Sequence, residues 1–201
     1  MILRSSAPSP FGRKVKIAAK ILGVYDLLTV EMSNTNDPAD TLRQQNPLGK
    51  IPILILDDGR KIFDSRVICE YLDAQADGVS LHPTESDARW EALTLQALGD
   101  GIVDASILQV YGARMRPEDK RHDDWLSYQS DKVKRSLDHL SANAPSLEGD
   151  LTIGHVAIAC ALGYLDLRFD GKWRETYPTL VSWLDAFRAR VPAFDETKFE
   201  G

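Results

Sequence analysis

Along residues 1–80 the apolar positions change period several times within short spans, which predicts strands and helices in alternation. Ile2 and Leu3 open a strand. Over residues 10–22 Val15, Ala18, Ala19 and Leu22 recur at helical spacing, and Gly23 is placed to end that helix. Residues 27–30 read as a second strand. Asp37-Pro38 has the form of an N-cap followed by a first-turn proline, and predicts a short helix ending near Asn46. Ile53-Leu54-Ile55-Leu56, the turn Asp57-Asp58-Gly59-Arg60 and the returning Lys61-Ile62-Phe63 form a hairpin. A helix over residues 65–76 completes the order β-α-β-α-β-β-α, a small mixed sheet with helices against it.

Residues 77–86 read as a linker, and beyond them the strand patterns stop. Amphipathic segments over 84–114 and 117–143 predict two long helices, the second acidic at its start and basic later, as helix dipoles favour. An apolar helix is expected over 152–169. The last is expected over 178–190, with Val181, Leu184 and Phe187 on one face. The chain therefore divides into domains at 1–78 and 86–201, the second all helical. On the first long helix Trp90, Ala97, Asp104 and Tyr111 recur every seven residues, with Asp100 and Ile107 alongside. A separate stripe of Ala92, Leu95, Ile102, Val103 and Val110 serves the core.

Composition narrows the function more than the fold. Hydrophobic residues are 43% and charged residues 27% of the 201, which excludes a disordered chain. The net charge of −6 comes from the second domain, since acids and bases balance over residues 1–80. A nucleic-acid binder needs the opposite bias, so nucleic acid is set aside. Cys69 and Cys160 each sit in an apolar helical stretch and read as core thiols, not a disulfide. His82, His122, His139 and His155 are scattered without metal-ligand spacing, so no metal is expected. No apolar run approaches the ~18 residues of a membrane span, and a cytoplasmic protein is expected.

Three short segments carry chemistry. Ser9-Pro10-Phe11-Gly12 sits at a strand-to-helix junction. A serine before a first-turn proline starts a helix whatever else it does, and the same geometry offers N–H groups and a positive dipole end to an anion. Asn46-Pro47-Leu48-Gly49-Lys50-Ile51-Pro52 precedes the hairpin. Pro52 is allowed at a strand's first position in any case; a cis bond there turns the Ile51 N–H and C=O toward a cleft, where an extended peptide can pair with them. Asp64-Ser65-Arg66 begins another helix, as a cap or as a site whose acid holds an ammonium while Ser65 holds a carboxylate.

In this order and spacing the three segments resemble the cytosolic glutathione S-transferases, over essentially the whole length. Ser9 in place of the cysteine of glutaredoxin-like members is similar to the serine-type classes, theta, zeta and many bacterial members. The resemblance implies an α/β thioredoxin-like N-terminal domain and an all-α C-terminal domain, glutathione as co-substrate, and a homodimer. It implies conjugation of the glutathione thiolate to a small hydrophobic electrophile. Glutathione-dependent isomerisation, dehalogenation or peroxide reduction, or a non-catalytic binding module, are the alternatives. Carried over, Ser9 activates the thiol, and Phe11, Lys50, Ile51, Pro52, Asp64 and Ser65 hold glutathione. Phe11, Tyr111 and Arg114 are expected in the second-substrate pocket, and Arg66, Asp100 and Asp104 at the partner subunit. One departure is visible: the helical domain's core helix keeps a capping Thr152, but His155 stands where the family has an acid. A protonated histidine near a helix N-terminus is mildly unfavourable.

Overall fold

A computed structural model describes residues 1–199. Four strands, β1 (Ile2–Ser5), β2 (Thr29–Met32), β3 (Ile53–Ile55) and β4 (Lys61–Ile62), form one sheet in the order β2-β1-β3-β4. β1 runs parallel to β2 and antiparallel to β3, with Leu3 opposite both Val30 and Leu54. The parallel pair needs a crossover, which α1 (Pro10–Ile21) supplies. The hairpin turn closes at Gly59, whose φ of 83° favours a residue without a Cβ. Leu3 and Leu54 from the sheet meet Ile17 of α1, and Ile68 and Leu72 of α3 (Ser65–Asp73), all fully buried. Each such side chain contributes roughly 1.5–3 kcal/mol relative to exposure.

Two helix starts differ from expectation. α2 is only Leu42–Gln45. Asp37 makes a local turn by accepting the Ala39 N–H, and Asp40 acts nearer the helix, accepting the N–H groups of Leu42 and Asn34 while Arg4 holds it at 2.9 Å. α5 (Asp123–Ala142) begins after a short 3-10 turn, where the His122 Nδ1 accepts the Trp125 N–H. Pro117 belongs to the turn. The second strand also begins at Thr29, because Tyr25–Leu27 forms a 3-10 turn.

The helical domain is built on α4 (Ser86–Arg114) and α6 (Ile153–Phe169), followed by α7 (Trp173–Thr176), α8 (Pro178–Arg190) and α9 (Ala193–Glu196). α7 and α9 have no counterpart in the sequence pattern. Close helix contact explains two glycines. A Cβ on Gly99 would lie 2.7 Å from the Ala157 backbone, and one on Gly154 would lie 2.7 Å from the Leu95 Cβ. α6 also packs on α1, so it joins the two domains. No described helix is long and apolar enough to cross a membrane.

His155 turns out to suit its place. Its Nδ1 accepts the Thr152 backbone N–H at 2.9 Å, and its Nε2 lies 2.9 Å from the Ser146 carbonyl. A carbonyl only accepts, so Nε2 carries the proton and Nδ1 the lone pair. The ring is neutral, and burial lowers its pKa first of all. It therefore completes a capping box without the charge that the sequence raised as an objection. The unfolded chain takes up this proton near pH ~6.5 while the fold resists it, so stability is full above that pH and falls below it. His82, beside Asp73 and likewise lowered by burial, acts in the same sense. Urea midpoints should fall between pH 7.5 and 5.5, and His155→Gln, which can still cap, should fall less. An identical pH slope in that variant would clear His155 of any part in it.

Candidate functional site

The end of β1 delivers the chain to Ser9, the N-cap of α1. Its Oγ accepts the Gly12 N–H at 3.1 Å and keeps its own proton to donate. Space here is tight: a Cβ on Gly12 would lie 1.9 Å from the Ser5 Oγ. The first-turn N–H groups and the dipole make this end of α1 favourable to negative charge.

Facing it is the turn before β3. Asn46, 1% exposed, fixes that turn by accepting the Leu48 N–H and donating to the Lys50 carbonyl. The Ile51–Pro52 bond is cis, and so is Phe63–Asp64. Among the described residues neither the N–H nor the C=O of Ile51 has a partner within the chain. Ile51 lines a cleft of about 350 Å³ together with Ser9, Phe11 and Lys50. The opposite wall is helical, with Asp104, Tyr111 and Arg114 from α4 and Tyr164 and Arg168 from α6.

Seven of the residues singled out by sequence thus meet in one cleft: Ser9, Phe11, Lys50, Ile51, Asp104, Tyr111 and Arg114. Pro52 is buried behind it. Asp64 and Ser65 lie outside the cleft lining, at the start of α3. Asp64 caps that helix by accepting the Arg66 N–H at 2.7 Å, and Ser65 is buried as its first residue.

Asp100 does not stand where a partner-subunit contact needs it. It is 2% exposed, and its two oxygens take the Lys14 ammonium at 2.7 and 2.8 Å. Oδ2 also accepts from the Arg66 Nε at 2.9 Å. The reason is the buried Lys14 of α1, 1% exposed, which needs a counter-charge. Arg66 is half exposed and its pKa is raised, chiefly by its bond to Asp100. Asp104, the other carboxylate of that set, makes no ion pair among the described residues. It is exposed within the single chain, yet displaced water and then Asp100 raise its pKa.

Sequence reasoning passed over Tyr164 and Arg168. Burial raises the Tyr164 hydroxyl pKa, and the Arg168 guanidinium lies 5.7 Å from that ring. The available signal was faint: two polar groups near the end of an otherwise apolar helix. A second cavity of about 440 Å³ adjoins Ser9 from the other side of Pro10, lined by Arg13, Tyr164 and Phe194. It contains neither Ile51 nor Lys50, and ion pairs of Arg174 with Asp166 and of Arg188 with Asp195 satisfy its rim. The first cleft is the better candidate. The two thiols play no part, since burial pushes Cys69 to about 12 and Cys160 to about 11.

Comparison with known proteins bears on the family and the fold. Residues 8–75 match the family model of the glutathione S-transferase N-terminal domain, and residues 103–186 that of the C-terminal domain. The GST-like protein YibF of Escherichia coli (strain K12) is 34% identical over 171 residues, covering 84% of this chain and 83% of that one. A glutathione transferase family member from Pseudomonas fluorescens Pf-5, crystallised with bound glutathione, is 40% identical with a TM-score of 0.91 over 98% of both chains. A structure of a family member from the same bacterium holds S-(propanoic acid)-glutathione, again at 40% identity and over 98% of both chains, with a TM-score of 0.88. With a sheet and helical domain of this form and a relative aligned across most of both lengths, the chain belongs to the glutathione S-transferase family.

Proposed function

We propose that the protein is a glutathione transferase that binds the tripeptide along residues 50–52 and adds its thiolate to small hydrophobic electrophiles. One juxtaposition supports this: the unpartnered Ile51 backbone and the Ser9 hydroxyl line the same cleft. An extended peptide pairing with Ile51 as a short added strand would bring its sulfur toward Ser9. Lys50 would face a carboxylate of the tripeptide. Asp64 would take the γ-glutamyl ammonium, and Ser65 with the α3 N-terminus its carboxylate. The glutathione bound in the Pseudomonas fluorescens relative supports the same co-substrate here.

In the reaction Ser9 donates a hydrogen bond to the thiolate, whose lone pair forms a carbon–sulfur bond. The displaced leaving group departs with the other electron pair. Phe11, Tyr111 and Arg114 would line the space for the electrophile. The substituted sulfur of the propanoic acid conjugate supports room for a group at that position. With this reading go a cytoplasmic setting, where unpaired thiols persist, and pairing of two copies through α3 and α4. Val67 and Trp90 leave 51% and 63% of their surface exposed on those helices, and Asp104 would face the partner.

Retention on immobilised glutathione, followed by an assay with chlorodinitrobenzene, tests the proposal. Retention and conjugation above the uncatalysed rate are expected. Retention with no turnover across a panel of electrophiles would move the protein to the non-catalytic class, and absence of retention would end the reading altogether.

A further inference from the structure

We propose that the helical wall of the cleft selects electrophiles that carry a carboxylate, with Arg168 and Arg114 as the specificity-determining pair. This rests on the reading above and names its substrate class. Both arginines line the cleft, Arg168 near the end of α6 and Arg114 in the last turn of α4. Among the described residues neither has an ion-pair partner. The carboxylates nearest Arg168 in sequence are engaged elsewhere: Asp166 accepts from Arg174 and Trp173, and Asp170 lies beside Lys172.

Arg168 also has an unused donor. Its Nε–H is buried with no acceptor, and its guanidinium lies 5.7 Å from the Tyr164 ring. A guanidinium grips a carboxylate through two parallel N–H groups, and Nε is one of the donors such a fork uses. A buried donor without an acceptor is unfavourable, and a carboxylate in the cleft removes that cost once the Arg168 side chain turns to meet it.

The rest of the cleft leaves this charge uncancelled. Lys50 stands on the opposite wall, in the segment assigned to glutathione. Asp104 is the one carboxylate lining the cleft among the described residues, ten residues before Arg114 on the same helix. At ~1.5 Å per residue that is about 15 Å along the axis, beyond the ~8 Å over which exposed charges act at physiological salt. Ile107, Val110, Tyr111 and Phe11 give the same cleft apolar and aromatic walls. The chemistry that fits is a small aromatic or aliphatic body with its electrophilic carbon near the sulfur and an acid group farther out.

Matched conjugates read this without requiring turnover. Calorimetry would compare S-benzylglutathione with S-(4-carboxybenzyl)glutathione, which differ by one carboxylate. The acid should bind at least about tenfold more tightly, as expected for a charge-assisted bond. Arg168→Gln should bring the ratio close to one, and Arg114→Gln should reduce it. The ratio is the readout because misfolding or weaker glutathione recognition lowers both affinities alike. Equal affinity of the two conjugates, or an advantage that survives both substitutions, overturns the inference and leaves glutathione binding intact. Failure of glutathione and both conjugates to bind overturns the underlying reading and the inference with it.

Discussion

Asp100→Asn is expected to destabilise the fold by about 3–5 kcal/mol, because it strands the Lys14 ammonium without a counter-charge. Lys14 is 1% exposed and Asp100 2%, and the pair bonds through both carboxylate oxygens. Lys14 lies on α1, Arg66 on α3 and Asp100 on α4, so one carboxylate ties the sheet domain to the helical domain. Against a typical total of 5–15 kcal/mol the loss is large. For a chain of this size it corresponds to a fall in Tm of roughly 6–20 °C. The pair need not be stabilising compared with an apolar one, because two charges have left water. Lys14→Met combined with Asp100→Leu should therefore recover most of the stability, since the half-exposed Arg66 can turn to solvent. Urea or thermal unfolding of the single and double variants checks both statements. A Tm within about 2 °C of the parent in Asp100→Asn would mean that Lys14 finds water or another partner, and the clamp would lose its importance.

This pair shows where sequence reading stops. Periodicity placed Asp100 on the first long helix correctly, beside a stripe that proved to face outward at Trp90 and Tyr111. It could not reveal a partner 86 residues away, because spacing along one helix reports its own faces and nothing of what packs on them. The same limit hid Arg168, which reaches the cleft only because α6 crosses behind α4. Local chemistry was far more legible. The hairpin, the Ser9 cap and the Asp64 cap all follow from residues within a few positions of one another. The two misplaced helix starts fit the same rule: Asp37-Pro38 looked like a cap, but Asp40, held by Arg4 from β1, is the carboxylate beside the helix. His155 was read as a charge because a sequence shows no burial. Its two bonds leave no room for a second proton.

In Ser9→Ala the thiol of bound glutathione should titrate about one to two pKa units higher than in the parent protein. A hydrogen bond to a charged group is worth roughly 1.5–3 kcal/mol, and ~1.4 kcal/mol is one unit. The effect on rate is far smaller. A free thiol with pKa ~8.5 is only about 3% thiolate at pH 7, and a two-unit fall raises this to about 75%. The less basic sulfur is also a weaker nucleophile, which returns about eightfold of that gain, so turnover at pH 7 should change by only about threefold. Most of any acceleration must then come from placing the electrophile beside the sulfur, which is the work of the helical wall. The substitution also removes the α1 cap, at about 0.5–2 kcal/mol, so stability has to be measured beside the titration. Ser9→Thr separates the two effects, because it keeps both the hydroxyl and the ability to cap the Gly12 N–H. Following the ultraviolet absorbance of the bound thiolate against pH gives the result directly. An unchanged thiol pKa in Ser9→Ala would assign Ser9 to the helix cap alone and pass thiol activation to the first-turn N–H groups of α1.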